Sequence, residues 1–410
     1  MSDAAAAAEL AARASYGRLV AYLAARWRDV ARAEDALGDA LLAALETWPR
    51  TGVPDKPEGW LLTTASRRLV DGARHAGVAT AAEADLTLML QEHIDDQRDA
   101  RVSDHRLALL FVCAHPSIDE AARTPLMLQT VLGLDAARIA SAFLVAPATM
   151  SQRLVRVKAK IREAGISFEV PERREMADRL EAVLDAIYAA YGSGWEDVAG
   201  ADPRRRGLAE EAIWLGRLVT RLLPDEPEAL GLLALMLHCE ARRPARRDSR
   251  GAYVPLREQD VTQWSQPMLE EAEDLLNTAA RSKTPGRFQL EAAIQSAHAQ
   301  RAGTGVTDWE AIALLYEGLL RCAPTVGARV AAAAALAEAR GAEAGLRALD
   351  ALAPDAVAAY QPYWALRGQL LKELGRNTQA LDAYDRAIGL SEEAAVRDFL
   401  MARSEEMRGR

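Results

Sequence analysis

Between Glu120 and Gly165 the apolar residues return at helical spacing in three blocks, Leu126 to Leu132, Ile139 to Phe143 and Leu154 to Ile161. Only short breaks separate them, so this stretch is bound to form three helices that hide one small shared core. Gly133 is placed to end the first helix, Asp135 to cap the second, and Pro147 fits only the first turn of the third. Helix, short turn and helix is the arrangement in which a second helix is offered to a DNA major groove.

That last helix changes the sign of the local charge. Arg153, Arg156, Lys158, Lys160 and Arg162 follow one another with no acid before Glu163, in a chain whose formal net charge is -9. A cationic stripe of this kind neutralises phosphates whatever the base sequence. Thr149, Ser151 and Gln152, in the first turns, are short polar side chains suited to base edges, with Arg153, Arg156 and Lys158 beside them for bases and backbone.

The 410 residues are too many for one ordinary core and imply two or three domains. Aromatic residues make up only 5%, alanine is abundant, and no stretch alternates as a strand would, so the chain reads as all-α. Cys113, Cys239 and Cys322 match neither a zinc spacing nor a disulfide framework, which fits a reduced, cytoplasmic setting. The first residues lack a basic segment before an apolar core, and no stretch of membrane-spanning length is free of charges. The sequence has no glycine-rich phosphate loop, no defensible nucleophile triad and no metal cluster, so neither an enzyme, a metal site nor a cofactor is expected.

Nearer the N-terminus, Leu37, Ala40, Leu41, Ala44, Leu45 and Trp48 give the stretch from Glu34 to Trp48 one buried helical face. Along another face run Asp35, Asp39, Leu42 and Glu46, a leucine set within a row of carboxylates. Solvation explains the acids; a basic, partly apolar partner explains the leucine as well. The segment Pro49 to Gly59 is rich in proline and glycine and is expected as a stiff loop. A helix from Trp60 to His75 follows, buried along Leu61, Ala65, Leu69 and Ala73 and polar along Thr63, Arg67, Asp71 and Arg74.

Taken in order, EDALGDALLAALETWP, a proline-glycine loop, WLLTTASRRLVDGAR, an acidic linker and TMSQRLVRVKAKIR resemble a bacterial RNA polymerase sigma factor of the extracytoplasmic-function (ECF) type. The resemblance implies region 2 over 10–78, a linker over 79–104 and region 4 over 105–170. It further implies that Asp35, Asp39, Leu42 and Glu46 dock on the β′ clamp of core polymerase. Trp60, Thr63, Ser66, Arg67, Arg68 and Arg74 would open and hold the minus-ten element. Thr149, Ser151, Gln152, Arg153, Arg156 and Lys158 would read the minus-thirty-five element, with the β flap as a further polymerase contact. Ser66 stands where the family commonly has a basic residue and Arg67 where it commonly has asparagine.

Residues 172–410 exceed what such a two-region factor needs. Near the C-terminus, Trp364, Gly368, Leu371, Ala380, Tyr384 and Ala387 fit the tetratricopeptide pattern, and Tyr316 precedes Tyr384 by twice its period of about 34 residues. LGRLVTRLLPDEPEALGLLALMLHCEARRPAR, LREQDVTQW and TDWEAIALLYEGLL resemble the extension of the ECF42 group, DUF6596 followed by tetratricopeptide-like repeats. That resemblance implies control by a fused domain that meets an effector or a protein. RRPARRDSR, from Arg242 to Arg250, reads as a solvated loop after a helix end, with contact to DNA, polymerase or an acidic effector as the alternative, and WEDVAG and REQDVTQW as effector contacts or loop anchors. A rival from another class is a helix-turn-helix regulator with a tetratricopeptide sensor; such a protein has no need of residues 34–75.

Overall fold

The computed structural model describes residues 3–75, 104–143, 145–195, 203–391 and 393–408. Every extended element among them is helical, apart from an isolated antiparallel bridge between Arg247 and Tyr253. The linker expected over 79–104 lies, apart from Asp104, outside the described residues. The chain divides into two compact units, Met1–Ser193 and Gly194–Arg410.

In the first unit, α1 (Asp3–Trp27), α2 (Val30–Thr51) and α3 (Pro57–His75) pack in sequence order. Arg28, in the left-handed region at φ 51°, breaks the chain between α1 and α2. Asp29 then caps α2 by accepting from the Arg32 amide at 3.1 Å. Val30, Ala33, Ala36, Leu37, Ala40, Ala44 and Trp48 form the buried stripe of α2. The stiff loop is shorter than its composition suggests, because both flanking helices run into it. Pro49 sits in the last turn of α2, where the carbonyl it strands can face water, and Gly52 ends the helix at φ 86°. Pro57 supplies the first residue of α3, a position that needs no amide proton. Glu58, one residue on, accepts from Ser15 Oγ and from Arg18, tying α3 to α1.

Next come α4 (Arg106–Cys113), α5 (Glu120–Thr130), α6 (Ala136–Ala142) and α7 (Pro147–Glu163). Leu126, Met127, Leu128, Ile139, Ala140, Met150, Leu154 and Ile161 are buried among α5, α6 and α7, the core that the three apolar blocks require. Gly133, at φ 70°, and the amide of Leu134, bonded to Leu128 O at 3.1 Å, close the end of α5. Asp135 accepts from the Arg138 amide at 2.8 Å at the start of α6. The first unit also takes in α8 (Arg173–Trp195) up to Ser193. Thr124 in α5 donates to the Ala186 carbonyl at 2.9 Å, and Arg179 donates to the Phe111 carbonyl at 3.0 Å.

In the second unit, α10 (Pro227–Ala241) packs on α9 (Pro203–Leu222), α11 (Gln266–Ala280) and α12 (Arg287–Ala299). Its composition explains its place: Ala229 to His238 is buried on all sides. The stretch after it is held by short 3-10 turns and by Trp264, which is buried and lies beneath the Arg301 guanidinium at 5.2 Å. Helices α13 (Trp309–Cys322), α14 (Val326–Arg340), α15 (Ala342–Asp350), α16 (Gln361–Glu373), α17 (Asn377–Leu390) and α18 (Ala394–Arg408) follow. Successive members pack mainly on their neighbours. Small residues set their spacing: a methyl group at Gly368 would meet the Tyr384 ring at 3.1 Å, and one at Gly345 would meet the Ala333 carbonyl at 2.8 Å.

Candidate polymerase and nucleic-acid interfaces

On α2 the spacing of four, three and four residues sets Asp35, Asp39, Leu42 and Glu46 along one outer face. All four are exposed, and Leu42 keeps 61% of its surface. Leu45, 46% exposed, broadens the apolar spot. Asp39 lies 4.0 Å from Arg68 of α3, both more than half exposed, which leaves the acid available to a partner. A partner that is basic at its rim and apolar at its centre fits this face.

The adjoining surface is built by the start of α3. Trp60 packs edge-on against buried Trp48, ring centroids 5.5 Å apart, so the indole is fixed where α2 ends. A hollow of about 460 Å³ opens beside it, lined by Pro54, Lys56, Trp60, Thr63 and Arg67 among others. Thr63 donates its hydroxyl to the Gly59 carbonyl at 2.8 Å. Arg67 and Arg68 are exposed. Ser66 departs from the expected set: it is 8% exposed and faces inward, because it stands four residues after Leu62 and four before Val70, both buried, on the same helical line. The Arg74 side chain lies outside the described residues. An aromatic wall, hydroxyls and a guanidinium around a hollow of this size can take a planar, polar group such as an unstacked base.

On α7, Thr149, Ser151, Gln152 and Arg156 are exposed and Arg153 is half-buried. The cations do not form one stripe. At about 100° per residue, Arg153, Arg156 and Lys160 share a flank with Thr149 and Gln152, whereas Lys158 and Arg162 fall on the other side of the buried line, with Ser151. Lys158, only 11% exposed, pairs with Glu34 of α2, itself 10% exposed, and Arg162 lies 3.6 Å from Asp29. Burial raises the Glu34 carboxyl above its ordinary range, and the Lys158 ammonium opposes that rise. Lys158 therefore stands apart from the exposed flank with which it was grouped. Glu34 and Asp29 carry no periodic signal of this role, since the pairs join positions far apart in the chain.

In the second unit the basic run from Arg242 to Arg250 is not uniformly solvated. Arg242 is 6% exposed and bonds the His238 carbonyl at 3.2 Å and Gln295 at 2.5 Å, while Arg243 pairs with Glu240 at 2.6 Å. REQDVTQW is part anchor and part surface: Trp264 is buried and Asp260 accepts from the Thr262 amide at 2.9 Å, while Arg257, Glu258, Asp260, Thr262 and Gln263 are exposed. WEDVAG lies outside the described residues beyond Trp195. A cavity of about 750 Å³ is lined by Tyr253, Arg257, Lys372, Tyr384, Phe399 and Arg403 together with apolar side chains. Among the described residues no helix is long and apolar enough to cross a membrane, and no group of His, Cys, Asp and Glu is arranged to hold a metal.

Comparison with known proteins fits this geometry. Sigma-70 region 2 matches residues 13–78, which span α2, α3 and the hollow. A family of unknown function, DUF6596, matches residues 179–280. An uncharacterized protein of Rhizobium meliloti (strain 1021) is 39% identical over 379 residues, 91% of this chain and 89% of the relative. The chain therefore belongs to the same family as that protein, and within this chain a sigma-70 region 2 segment is joined to a DUF6596 segment.

Proposed function

We propose that this chain is a sigma factor of the ECF type, within the ECF42 group, that docks on core RNA polymerase, opens promoter DNA and starts transcription under the control of its C-terminal unit. One observation carries the reading: the segment that matches sigma-70 region 2 presents an exposed leucine within a row of carboxylates beside an aromatic hollow. Asp35, Asp39, Leu42 and Glu46 dock on the β′ clamp, with the acids steering and Leu42 filling an apolar notch. Trp60, Thr63 and Arg67 receive a flipped base of the minus-ten element; Arg68 and Arg74 hold its phosphates, and inward-facing Ser66 shapes the helix from behind. Capture of the single strand offsets unpairing and unstacking, about a few kcal/mol per flipped base, and no covalent step is required.

Helices α6 and α7 then act as the helix-turn-helix of region 4, with Thr149, Gln152, Arg153 and Arg156 reading the minus-thirty-five element and the β flap holding region 4 in place. The paired helices α13–α18 act as a tetratricopeptide-like regulatory array. Tight packing at Gly345 and Gly368 supports that reading.

Transcription in vitro with the full chain and core polymerase free of any other sigma factor tests the proposal. Specific transcripts from the chain's own upstream region are the expected result. Asp39→Arg should weaken core binding by about 2 kcal/mol or more, about thirtyfold, as a central interface charge does when reversed. Transcripts that appear only after a housekeeping sigma factor is added would instead make the chain an accessory regulator.

A further inference from the structure

In the second unit, α16 and α18 are separated in sequence by α17 yet run side by side in the same direction. Ala365 shares an apolar cluster with Val396 and Phe399, and further along both helices Lys372 reaches Glu406 at 3.6 Å. Each helix turns one face to the cavity of about 750 Å³, and each face is apolar at its start and polar at its end. Pro362, Ala365 and Leu366 precede Gln369 and Lys372; Val396, Phe399 and Leu400 precede Arg403 and Glu406. A third wall comes from the stretch before α11: Tyr253 stands edge-on to Phe399, ring centroids 5.6 Å apart, and Glu258 accepts from Arg403 at 3.0 Å. The cavity therefore has an apolar end and a charged end, and its volume is that of a small-molecule site.

The charged end sets the sign of a guest. Its wall carries Arg246, Arg257, Lys372 and Arg403 against Glu258, Glu373 and Glu406, four cations to three acids, in a chain of net charge -9. Arg403 and Glu258 are 30% and 45% exposed, and Arg257 is shared between Glu258 at 3.9 Å and Glu338 at 3.4 Å. Pairs this open are weak, so both guanidinium groups can take a further acceptor. Tyr384 adds a neutral donor. Its ring is held against Gly368, where a methyl group would meet it at 3.1 Å, and its hydroxyl makes no hydrogen bond among the described residues. The charges that act on that hydroxyl are Arg403, Glu373, Glu406 and Arg257, all of them cavity residues, and burial keeps the phenol protonated. A neutral apolar guest would leave these donors unpaired, and a dianion would exceed the surplus of one positive charge.

We propose that this cavity is an effector site for a small amphipathic monocarboxylate. Its carboxylate is held by Arg403, Arg257 and the Tyr384 hydroxyl, and its apolar body lies along Phe399, Val396 and Leu366. Such a guest bridges the stretch from Tyr253 to Glu258, within the DUF6596 segment, to the last helix of the chain. The inference deepens the proposed regulatory role of the second unit. It rests on the sigma-factor reading for its effect on transcription and on the cavity alone for binding.

Titration calorimetry of the full, polymerase-free chain with 2-naphthylacetate, 4-methylpentanoate and octanoate tests it, with 2-naphthylacetamide as the uncharged counterpart. Saturable one-to-one binding of at least one acid is expected, and the amide should bind about tenfold or more weaker than its acid. Tyr384→Phe should weaken the acid about tenfold while leaving the urea midpoint of the free chain unchanged, because the hydroxyl it removes has no partner there. Arg403→Gln should weaken it about tenfold or more. Three outcomes would overturn the site: no binding by any of the acids, equal affinity for acid and amide, or affinity that ignores both substitutions. Binding only by a peptide with a free C-terminal carboxylate would overturn the small-acid assignment. In a second arm, the bound acid should change transcription in vitro about fivefold or more in either direction, and Tyr384→Phe should shift that response to about tenfold higher acid. Transcription that ignores a bound acid would overturn the effector role. If the acid binds as expected and the chain never supports transcription with core polymerase, the site stands and the sigma-factor reading falls.

Discussion

His238 is fully buried in α10, and neither ring nitrogen has a hydrogen-bond partner; Nε2 lies 3.6 Å from Glu273 Oε1, which accepts from Ser296 at 2.6 Å. Burial first, and the Arg242 guanidinium second, push its pKa down to about 4. His298, set edge-on to Trp309 with ring centroids 5.3 Å apart, is pushed to about 4 by burial and by Arg242 and Arg301. Above the ordinary histidine value of 6.5 both folded and unfolded chains hold neutral rings, so stability there is full. Below it the unfolded chain takes up protons first, and stability falls until the native rings protonate near 4. Each such histidine contributes up to about 1.4 kcal/mol per pH unit across that window. Urea unfolding of the full chain at pH 7 and pH 5 should show the loss, and His238→Leu should remove about half of it. An unchanged slope in that variant would mean that Glu273 holds the imidazolium in place.

At the scale of elements, the crossing of α10 and α12 illustrates what periodicity conveys and what it omits. Glu228 receives the Phe288 amide at 2.9 Å and the Gln289 amide at 3.2 Å, so a side chain from one helix caps the first turn of the other. Gly231 lies so close that a methyl group would meet the Gln289 amide nitrogen at 2.6 Å. Glu228→Ala should cost about 1 to 2 kcal/mol, as loss of a charged cap does. Gly231→Ala should cost about 1 to 3 kcal/mol or more, because backbone and not a side chain must yield. Denaturant midpoints with unchanged slope would verify both. The helices themselves were legible: apolar spacing located α2, α3 and α5 to α7, and Pro147 marked its N-terminus. Boundaries were less so, since a proline counts against a helix by composition yet fits the end of α2 and the start of α3. The cations of α7 read as one stripe in a linear sequence, but helical rotation divides them, and Glu34 takes up one flank through a contact no local pattern encodes.

For the whole molecule, the consequential placement is that of α8. In the sequence, Pro171 and the helical pattern that follows suggest that a two-region factor ends there, and the DUF6596 match begins at residue 179. In the structure the first unit continues to Ser193. Thr124, 6% exposed, depends on the Ala186 carbonyl for its hydroxyl, and fully buried Phe111 is covered by Arg179, whose guanidinium lies 6.0 Å from the ring centroid. Such docking is tertiary, so a reading of periodicity along the chain cannot supply it. The DUF6596 sequence thus contributes its first helix to the unit that carries region 2, and covalent fusion here is also structural support. A chain ending at Pro171 should therefore lose about 3 kcal/mol or more relative to one ending at Ser193, through an uncapped hydroxyl and newly wetted aromatic and aliphatic surface. Calorimetry of the two chains would show it as a lower midpoint for the shorter one. Equal midpoints would mean that α8 merely rests on α4 and α5. With the expected difference, activity lost by cutting at Pro171 would report loss of fold, and only a cut at Ser193 would isolate whatever the second unit itself contributes.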